Sequence, residues 1–208
     1  MERLIKRGAE AEIYLTEWRN RKAIIKRRIA KKYRIREIDN ELREKRTKKE
    51  AIMLASARSA GVSVPIIYDL RIEEKEIVMQ YIEGERLKDK LDSKKKDEQM
   101  EICRKIGQSI SRLHSEGIIH GDITTSNLIL SDNKIYFIDF GLSSRSEEIE
   151  DMGVDLHLLM EAFKSAHKNK NLFLWVREAY IKSFNRGKEV IEKVKEIERR
   201  GRYMGRVT

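Results

Sequence analysis

Residues 120–130 read HGDITTSNLIL, and residues 139–141, reached through a second hydrophobic stretch, read DFG. Four residues separate Asp122 from Asn127, and the DFG aspartate follows twelve residues after that Asn. Phosphoryl transfer requires hard oxygen ligands for a metal ion and one carboxylate that orients the attacking hydroxyl or water. An Asp and an Asn on one loop, with another Asp at a strand end, supply that set. Asp-Gly and Ser-Asn pairs are common in ordinary turns, but their joint spacing favours a phosphoryl-transfer site.

Each of these polar residues has a separate role in this hypothesis. Asn127 and Asp139 are the predicted metal ligands, because amide and carboxylate oxygens suit Mg2+. Asp122 is the predicted catalytic residue that orients the nucleophile. Nucleotide phosphates, metal and acceptor would therefore meet at the ends of two adjacent strands.

Length and composition limit the class of protein. The chain has 208 residues, 40% of them hydrophobic, which is enough for one core or two small lobes. The single Cys103 cannot form a disulfide within the chain, and the four His have no zinc-site spacing. No apolar run approaches the length of a bilayer span, and the beginning MERLIKRGAE contains no signal-peptide core. We therefore expect a cytoplasmic protein with no membrane partner.

The net charge of +10 is concentrated in two stretches. Residues 19–49 contain fifteen Lys and Arg against four acids, and residues 186–206 contain eight against four. Such runs are often solvated helix faces, but two of them in a strongly basic chain favour a polyanionic partner such as RNA. Residues 199–206, with four Arg and two Gly, are predicted to be a mobile tail that becomes ordered on a polyanion.

Hydrophobic periodicity predicts a β-rich first part and a helical second part. Strand-like alternation around Gly8, a helix ending at Gly61 and two further strands form a small lobe. These strands are residues 4–18, 22–28, 64–72 and 75–84, and the helix is residues 37–61. Three helical segments follow, of which the first carries an apolar stripe. They are residues 98–117, 153–167 and 172–187, and the stripe is Ile102, Ile106, Ile110 and Leu113.

HGDITTSN and DFG resemble the HRDxxxxN and DFG motifs of the eukaryotic-like protein kinase superfamily. By this resemblance Lys26 in AIIKRR is the strand lysine that contacts the nucleotide phosphates. Glu50 in RTKKEAIML resembles its helix-borne ion-pair partner, and both are assigned to the catalytic set. Glu41 and Glu44 lie on the same predicted helix, but only Glu50 adjoins an apolar run.

The same resemblance assigns supporting residues. Asp155 in GVDLHLL resembles the buried helical Asp that braces the catalytic-loop backbone. His120 resembles a packing residue beside Phe140. Cys103 and His114 are expected to be core and helix-end residues without a chemical role.

Several departures from the kinase pattern indicate an atypical member. The nucleotide loop, residues 8–12, reads GAEAE rather than G-x-G-x-x-G and brings two acids near the phosphates. Gly121 replaces the usual Arg, and Thr124 replaces a common Lys. Sixteen residues lead from Asp139 to Asp155, so neither a long activation loop nor a peptide platform can be accommodated.

The combination of GAEAEIY, KRRIAKKYRIREID, RTKKEA and HGDITTSN resembles one family over nearly the whole chain. That family is the small atypical kinase/ATPase subunit of the KEOPS complex, related to the human p53-related protein kinase. The resemblance implies an α+β, bilobal protein-kinase-like fold with a small β-rich N-lobe over residues 1–82. The truncated, mainly helical C-lobe with its basic C-terminal tail would cover residues 83–208. It further implies ATP and Mg2+ at a nucleotide site formed by Gly8, Ala9, Lys26, Gln80, Tyr81, Asn127 and Asp139.

The partners implied by this family are two other subunits and tRNA. One is a transferase subunit of actin/sugar-kinase fold, and the other is a small KEOPS subunit that docks on the N-lobe. In this family, ATP hydrolysis or serine phosphorylation supports threonylcarbamoyladenosine modification of tRNA.

Two alternatives remain beside this function. A small-molecule phosphotransferase of the same fold would need an acidic pocket for a cationic substrate, whereas the excess charge here is positive. A catalytically idle tRNA-binding scaffold would be free to lose any of four predicted site residues, yet all four are present. They are Lys26, Asp122, Asn127 and Asp139.

Overall fold

The first half of the chain forms an antiparallel sheet of five strands with a long helix against it. The computed structural model describes residues 2–204, the last four of them as backbone only. The strand order is β1-β2-β3-β5-β4. The strands are β1 Arg3–Arg7, β2 Ala11–Trp18, β3 Arg21–Arg28, β4 Ile67–Arg71 and β5 Glu76–Gln80, and the helix is α1 Arg36–Ser59.

Local sequence explains how this sheet is built. Arg19 and Asn20 join β2 to β3 with positive φ angles of 47° and 61°, the turn geometry that suits the twist of a two-residue hairpin. Ala23, Ile25 and Val78 are buried on one face of the sheet, because side chains alternate along a strand. Ala51 of α1 packs with Ile77 and Met79 of β5. Two small hydrophobic clusters, one on each face, therefore stabilise this sheet.

The second half of the chain is mainly helical. Its elements are β6 Glu85–Arg86, α2 Leu87–Lys90, α3 Lys96–Ser115, β7 Ile118–Ile119, β8 Leu128–Ser131, β9 Lys134–Phe137, β10 Ser144–Arg145, α4 Ile149–Ala166, α5 Leu172–Ser183 and α6 Gly187–Met204. The predicted α+β fold is confirmed. The predicted boundary between residues 82 and 83 stays a prediction, since Met53 and Leu54 of α1 belong to the same core cluster as the later helices.

The main core lies around α3. Its predicted stripe is confirmed, because the four apolar residues at helical spacing are all at most 5% exposed. A Cβ atom on Gly107 would lie 2.3 Å from the carbonyl oxygen of Val176 on α5. Only glycine therefore allows α3 and α5 to approach this closely.

The last helix, α6, was not predicted from the sequence. Val190, Ile191 and Val194 are buried at helical spacing, and the helix packs on α4 and α5. Residues 199–204, which belong to the predicted mobile tail, continue α6, and their mobility stays a prediction. Arg206, which belongs to the same prediction, lies outside the described residues. Among the described residues, none of the helices combines the length and apolarity that a bilayer span requires.

Candidate active site

The hairpin of β8 and β9 explains the twelve-residue spacing between Asn127 and Asp139. Leu128 pairs with Phe137 in antiparallel register, and the Ile138 N–H donates to the Asn127 carbonyl oxygen at 3.0 Å. The two polar residues therefore precede and follow adjacent strands at the same end of the hairpin. Asp139 has a φ of 66°, a left-handed conformation that Asp tolerates better than most residues.

Asn127 also fixes the catalytic-loop carboxylate. Its Nδ2 donates to the Asp122 carbonyl oxygen at 3.0 Å and to Asp122 Oδ2 at 2.9 Å. The amide thus uses its NH2 group on Asp122, and its oxygen is the atom that can bind a cation. Burial raises the pKa of Asp122, and the hydrogen bond from Asn127 opposes this only in part. A raised pKa makes this carboxylate a better proton acceptor.

Asp155 braces the backbone of this loop, as predicted. One carboxylate oxygen accepts the His120 N–H and the other accepts the Gly121 N–H, both at 2.8 Å. His114 Nε2 lies 3.3 Å from Asp155 Oδ2, and His114 Nδ1 lies 2.7 Å from the hydroxyl oxygen of Tyr180. Since a carboxylate only accepts, the His114 Nε2–H donates to Asp155, while Nδ1 shares a hydrogen bond with the Tyr180 hydroxyl.

The part that His114 has in this brace was not predicted from the sequence. A His next to Leu113 on a predicted core-facing helix was the available signal, because a buried imidazole needs polar partners. The predicted packing of His120 on Phe140 is confirmed by a distance of 4.5 Å between ring centroids. Cys103 is buried as predicted, and its pKa is raised to about 12 by that burial.

The replacement of the usual Arg by Gly121 has a steric cause. Gly121 has a φ of 81°, and a Cβ atom there would lie 2.6 Å from the carbonyl oxygen of Leu142. The segment after DFG therefore occupies the space that a side chain would need. At this position the backbone of Gly121 lies close to the backbone of Leu142, where the usual motif has an Arg.

Lys26 brings together groups from three distant parts of the chain. Its Nζ lies 2.5 Å from Glu50 Oε1 on α1 and 2.7 Å from Asp139 Oδ1 after β9. Burial alone would lower the pKa of Lys26, but the two carboxylates outweigh it and raise the pKa. Partial burial would raise the pKa of Asp139, whereas the Lys26 ammonium holds it below its usual value. Lys26 and Asp139 are therefore both charged at neutral pH.

Two adjoining cavities contain all of the predicted site residues. The larger, about 460 Å³, is lined by strand residues, by the hinge segment, residues 80–82, at the end of β5, and by Glu50 and Asn127. The smaller, about 260 Å³, is lined by the nucleotide loop and Asp122. Lys26 and Asp139 line both cavities. The remaining predicted residues divide between them, with Gln80 and Tyr81 in the larger and Gly8 and Ala9 in the smaller.

The nucleotide loop presents one acid to the site rather than two. Glu10 lines the smaller cavity and its Oε2 lies 2.7 Å from Arg46 Nη1. Glu12 instead pairs with Arg7 at 2.8 Å and accepts the Tyr14 hydroxyl at 2.6 Å. The expectation of two acids near the phosphates is therefore wrong for Glu12. Alternation along β2 turns its side chain to the partners on β1 and β2.

A sheet with a docked helix, a hairpin that brings Asn127 and Asp139 to the same end and a helical second half defines the protein-kinase-like class of phosphotransferases. The solved structure of the ADP-bound aminoglycoside phosphotransferase APH(2'')-Ib has this fold, with a TM-score of 0.65. The alignment covers 93% of this chain and 80% of that one at 13% identity, so it shows the fold alone. The family model described as the RIO domain matches residues 11–172.

Curated relatives then give the particular family. "KEOPS complex subunit Bud32" of Pyrococcus abyssi is 47% identical over 98% of this chain and 97% of its own length. The "Probable serine/threonine-protein kinase BUD32 homolog" of Archaeoglobus fulgidus is 44% identical over 97% of this chain and 96% of its own. The chain belongs to the Bud32 family of RIO-domain proteins.

A third relative is much longer than this chain. The "Probable bifunctional tRNA threonylcarbamoyladenosine biosynthesis protein" of Methanobrevibacter smithii is 43% identical over 96% of this chain. The match covers only 36% of that protein. A Bud32-like region is therefore about one third of a bifunctional protein in that organism.

Proposed function

We propose that this protein is an ATP-dependent atypical serine kinase or ATPase that supports threonylcarbamoyladenosine modification of tRNA within the KEOPS complex. The observation that carries the proposal is the cluster of Lys26, Glu50 and Asp139 between two cavities that also contain Asp122 and Asn127. The names of the relatives from Pyrococcus abyssi, Archaeoglobus fulgidus and Methanobrevibacter smithii support the biological setting.

The larger cavity suits the adenine and ribose of ATP. Ile13, Ile24 and Met79 give it apolar walls, and the hinge residues Gln80 and Tyr81 form its edge. A flat base between apolar side chains, held by polar hinge groups, is an ordinary arrangement for a small-ligand site. We assign Gln80 and Tyr81 to base binding, and Gly8 and Ala9 of the smaller cavity to the phosphates.

The smaller cavity suits phosphates and the acceptor. Lys26 would bind phosphate oxygens, and Asp122 would accept a hydrogen bond from the attacking hydroxyl or water. Asn127 and Asp139 would hold the divalent metal, taken as Mg2+, whose charge neutralises the phosphates. The oxygen donors present fit that ion. Because α4 begins at Ile149, only a short segment follows DFG, and it leaves no room for a broad peptide-binding platform. The proposed acceptor is a serine hydroxyl or water.

Some Lys and Arg side chains of the basic stretch, residues 19–49, lie buried at the site, and others lie on the surface. Ten of its fifteen Lys and Arg form ion pairs, among them the buried Lys26 and Arg28. The other five are exposed and are the better candidates for tRNA phosphates. They are Arg19, Arg21, Lys32, Arg36 and Lys49.

The partner subunits proposed are the transferase of actin/sugar-kinase fold and a small subunit on the N-lobe, residues 1–82. The longer relative of Methanobrevibacter smithii supports the transferase, since a Bud32-like region and a second activity share one chain there. An assembly that modifies tRNA is consistent with a cytoplasmic protein.

The test is ATP turnover with Mg2+, measured for the protein alone and with tRNA and the transferase subunit. Asp122→Asn should reduce turnover by about 100- to 10,000-fold while ATP binding by calorimetric titration is largely retained. Asp139→Ala should abolish turnover and weaken ATP binding in Mg2+, because a metal carboxylate is lost. Asp97→Ala, an exposed carboxylate at the start of α3, is the control. Parental turnover in Asp122→Asn would contradict the assigned role, and absence of any ATP turnover would contradict the proposed function.

A further inference from the structure

Arg28 is a buried cation beside the site, and no role for it was predicted from the sequence. It follows Lys26 by two residues on β3, so both side chains lie on the same face of the strand. Arg28 is 6% exposed, and its Nη2 lies 2.5 Å from Glu50 Oε2. The same nitrogen donates to the Arg46 carbonyl oxygen on α1 at 3.4 Å. Its signal in the sequence was the two-residue spacing from Lys26.

Glu50 is therefore shared by two cations. Its Oε1 contacts Lys26 and its Oε2 contacts Arg28, while Glu50 itself is 1% exposed. Lys26 in turn divides its ammonium between Glu50 and Asp139. The four groups together have no net charge, which lowers the cost of burying them. Without Arg28, the Lys26 ammonium would have to neutralise both the Glu50 and the Asp139 carboxylates.

Arg28 also lies at the reactive end of the site. It lines the smaller cavity together with Asp122. A Cβ atom on Gly141 would lie 3.6 Å from Arg28 Nη2 and 3.6 Å from Glu50 Oε2. The Arg28–Glu50 pair thus lies against the DFG segment as well as between β3 and α1.

We propose that Arg28 is a positioning residue that fixes the Glu50 carboxylate, and through it α1, for the catalytic Lys26. This rests on the proposed function. When Lys26 contacts nucleotide phosphates, Arg28 keeps Glu50 ion-paired and oriented. A guanidinium suits this task because it stays charged and its donors have fixed directions. The Arg28–Glu50 pair joins β3 to α1, so it can orient Glu50 without a long segment after DFG.

Arg28→Met should lower kcat on the order of 10- to 100-fold, and change the ATP dissociation constant by about threefold or less, because Lys26 is misplaced rather than removed. Arg28→Lys keeps the buried charge and should fold even if Arg28→Met does not. It should recover part of kcat, since an ammonium cannot reproduce the guanidinium geometry. Parental kcat in the folded Arg28→Met protein would overturn the proposal.

The matched control is Arg27→Met. Arg27 adjoins Arg28 on the other face of β3 and pairs with the buried Glu76 at 2.5 Å. This variant loses an ion pair of the same strand without touching Glu50. Equal losses of kcat in Arg27→Met and Arg28→Met, at matched stability, would show a general effect of the sheet and overturn the proposal.

A double-mutant cycle separates positioning from general destabilisation. In a Glu50→Gln background, Arg28→Met should change kcat by about twofold or less, since the carboxylate to be positioned is gone. A full additional loss in that background would overturn the proposal. Hydrogen exchange of α1 amides near Glu50 gives a readout without ATP and should be faster in Arg28→Met than in Arg27→Met. It tests Arg28 even if the unmodified protein proves not to turn over ATP, a result that would refute only the proposed function.

Discussion

The substitution Asp155→Asn removes one charge from the brace beneath the catalytic loop and hardly changes the side-chain volume. In the native chain, one carboxylate oxygen accepts from the His120 N–H and the other from the Gly121 N–H, both at 2.8 Å. Asn offers one oxygen and one NH2 group. One backbone N–H must therefore face another donor, in a place where Asp155 is fully buried.

The magnitude follows from these contacts. A hydrogen bond to a charged group contributes about 1.5–3 kcal/mol, and a buried donor left without a partner costs about 1–3 kcal/mol. We expect the free energy of unfolding to fall by about 3–5 kcal/mol, the range found when a buried charged pair is broken. Since a domain of this kind is stable by about 5–15 kcal/mol, the variant should fold but unfold at clearly lower urea. Turnover should fall on the order of 10- to 100-fold as Asp122 shifts.

Urea denaturation and ATP turnover measure the two effects. Asp151→Asn is the matched control, because Asp151 lies on the same helix, is exposed, and accepts a surface hydrogen bond from Ser146 Oγ at 2.5 Å. Its unfolding free energy should change by about 0.5 kcal/mol or less. A loss below about 1 kcal/mol in Asp155→Asn, with turnover retained, would show that the brace does not hold the loop.

The other predictions concern packing, pH, thiol reactivity and RNA binding. Gly107→Ala should lower the free energy of unfolding by about 1–3 kcal/mol, because its methyl group would meet the Val176 carbonyl, and an unchanged urea midpoint would contradict this. Turnover should fall as pH drops through the raised pKa of Asp122, since protonation removes the proton acceptor, so the acid limb in a pH–rate profile should lie above the usual Asp pKa of 3.8. Cys103, whose pKa burial raises to about 12, should resist iodoacetamide at neutral pH until the protein unfolds, as mass spectrometry would show. Truncation after Glu198 should weaken tRNA binding and flatten its salt dependence while sparing ATP binding, and an unchanged salt slope would leave the basic stretch of residues 19–49 as the candidate RNA surface.

Features that depend on residues close together in the chain could be predicted from the amino-acid sequence alone. The stripe of α3 and the alternation of the strands follow from periods of 3.6 and 2 residues. The spacing from Asn127 to Asp139 is that of a hairpin, because β8 and β9 pair directly. The HGD and DFG motifs therefore indicate one site from the order of the residues alone.

Other features needed the tertiary structure, because they depend on contacts between distant segments. Lys26 lies 24 residues from Glu50 and 113 residues from Asp139 along the chain. A local pattern gives the type of a charged residue but not its partner, so the roles of Arg28 and His114 were missed and Glu12 was wrongly assigned to the phosphates. Val190, Ile191 and Val194 pack α6 on α4 and α5, a contact with distant helices that the local charge pattern does not indicate, and the helix continues to Met204.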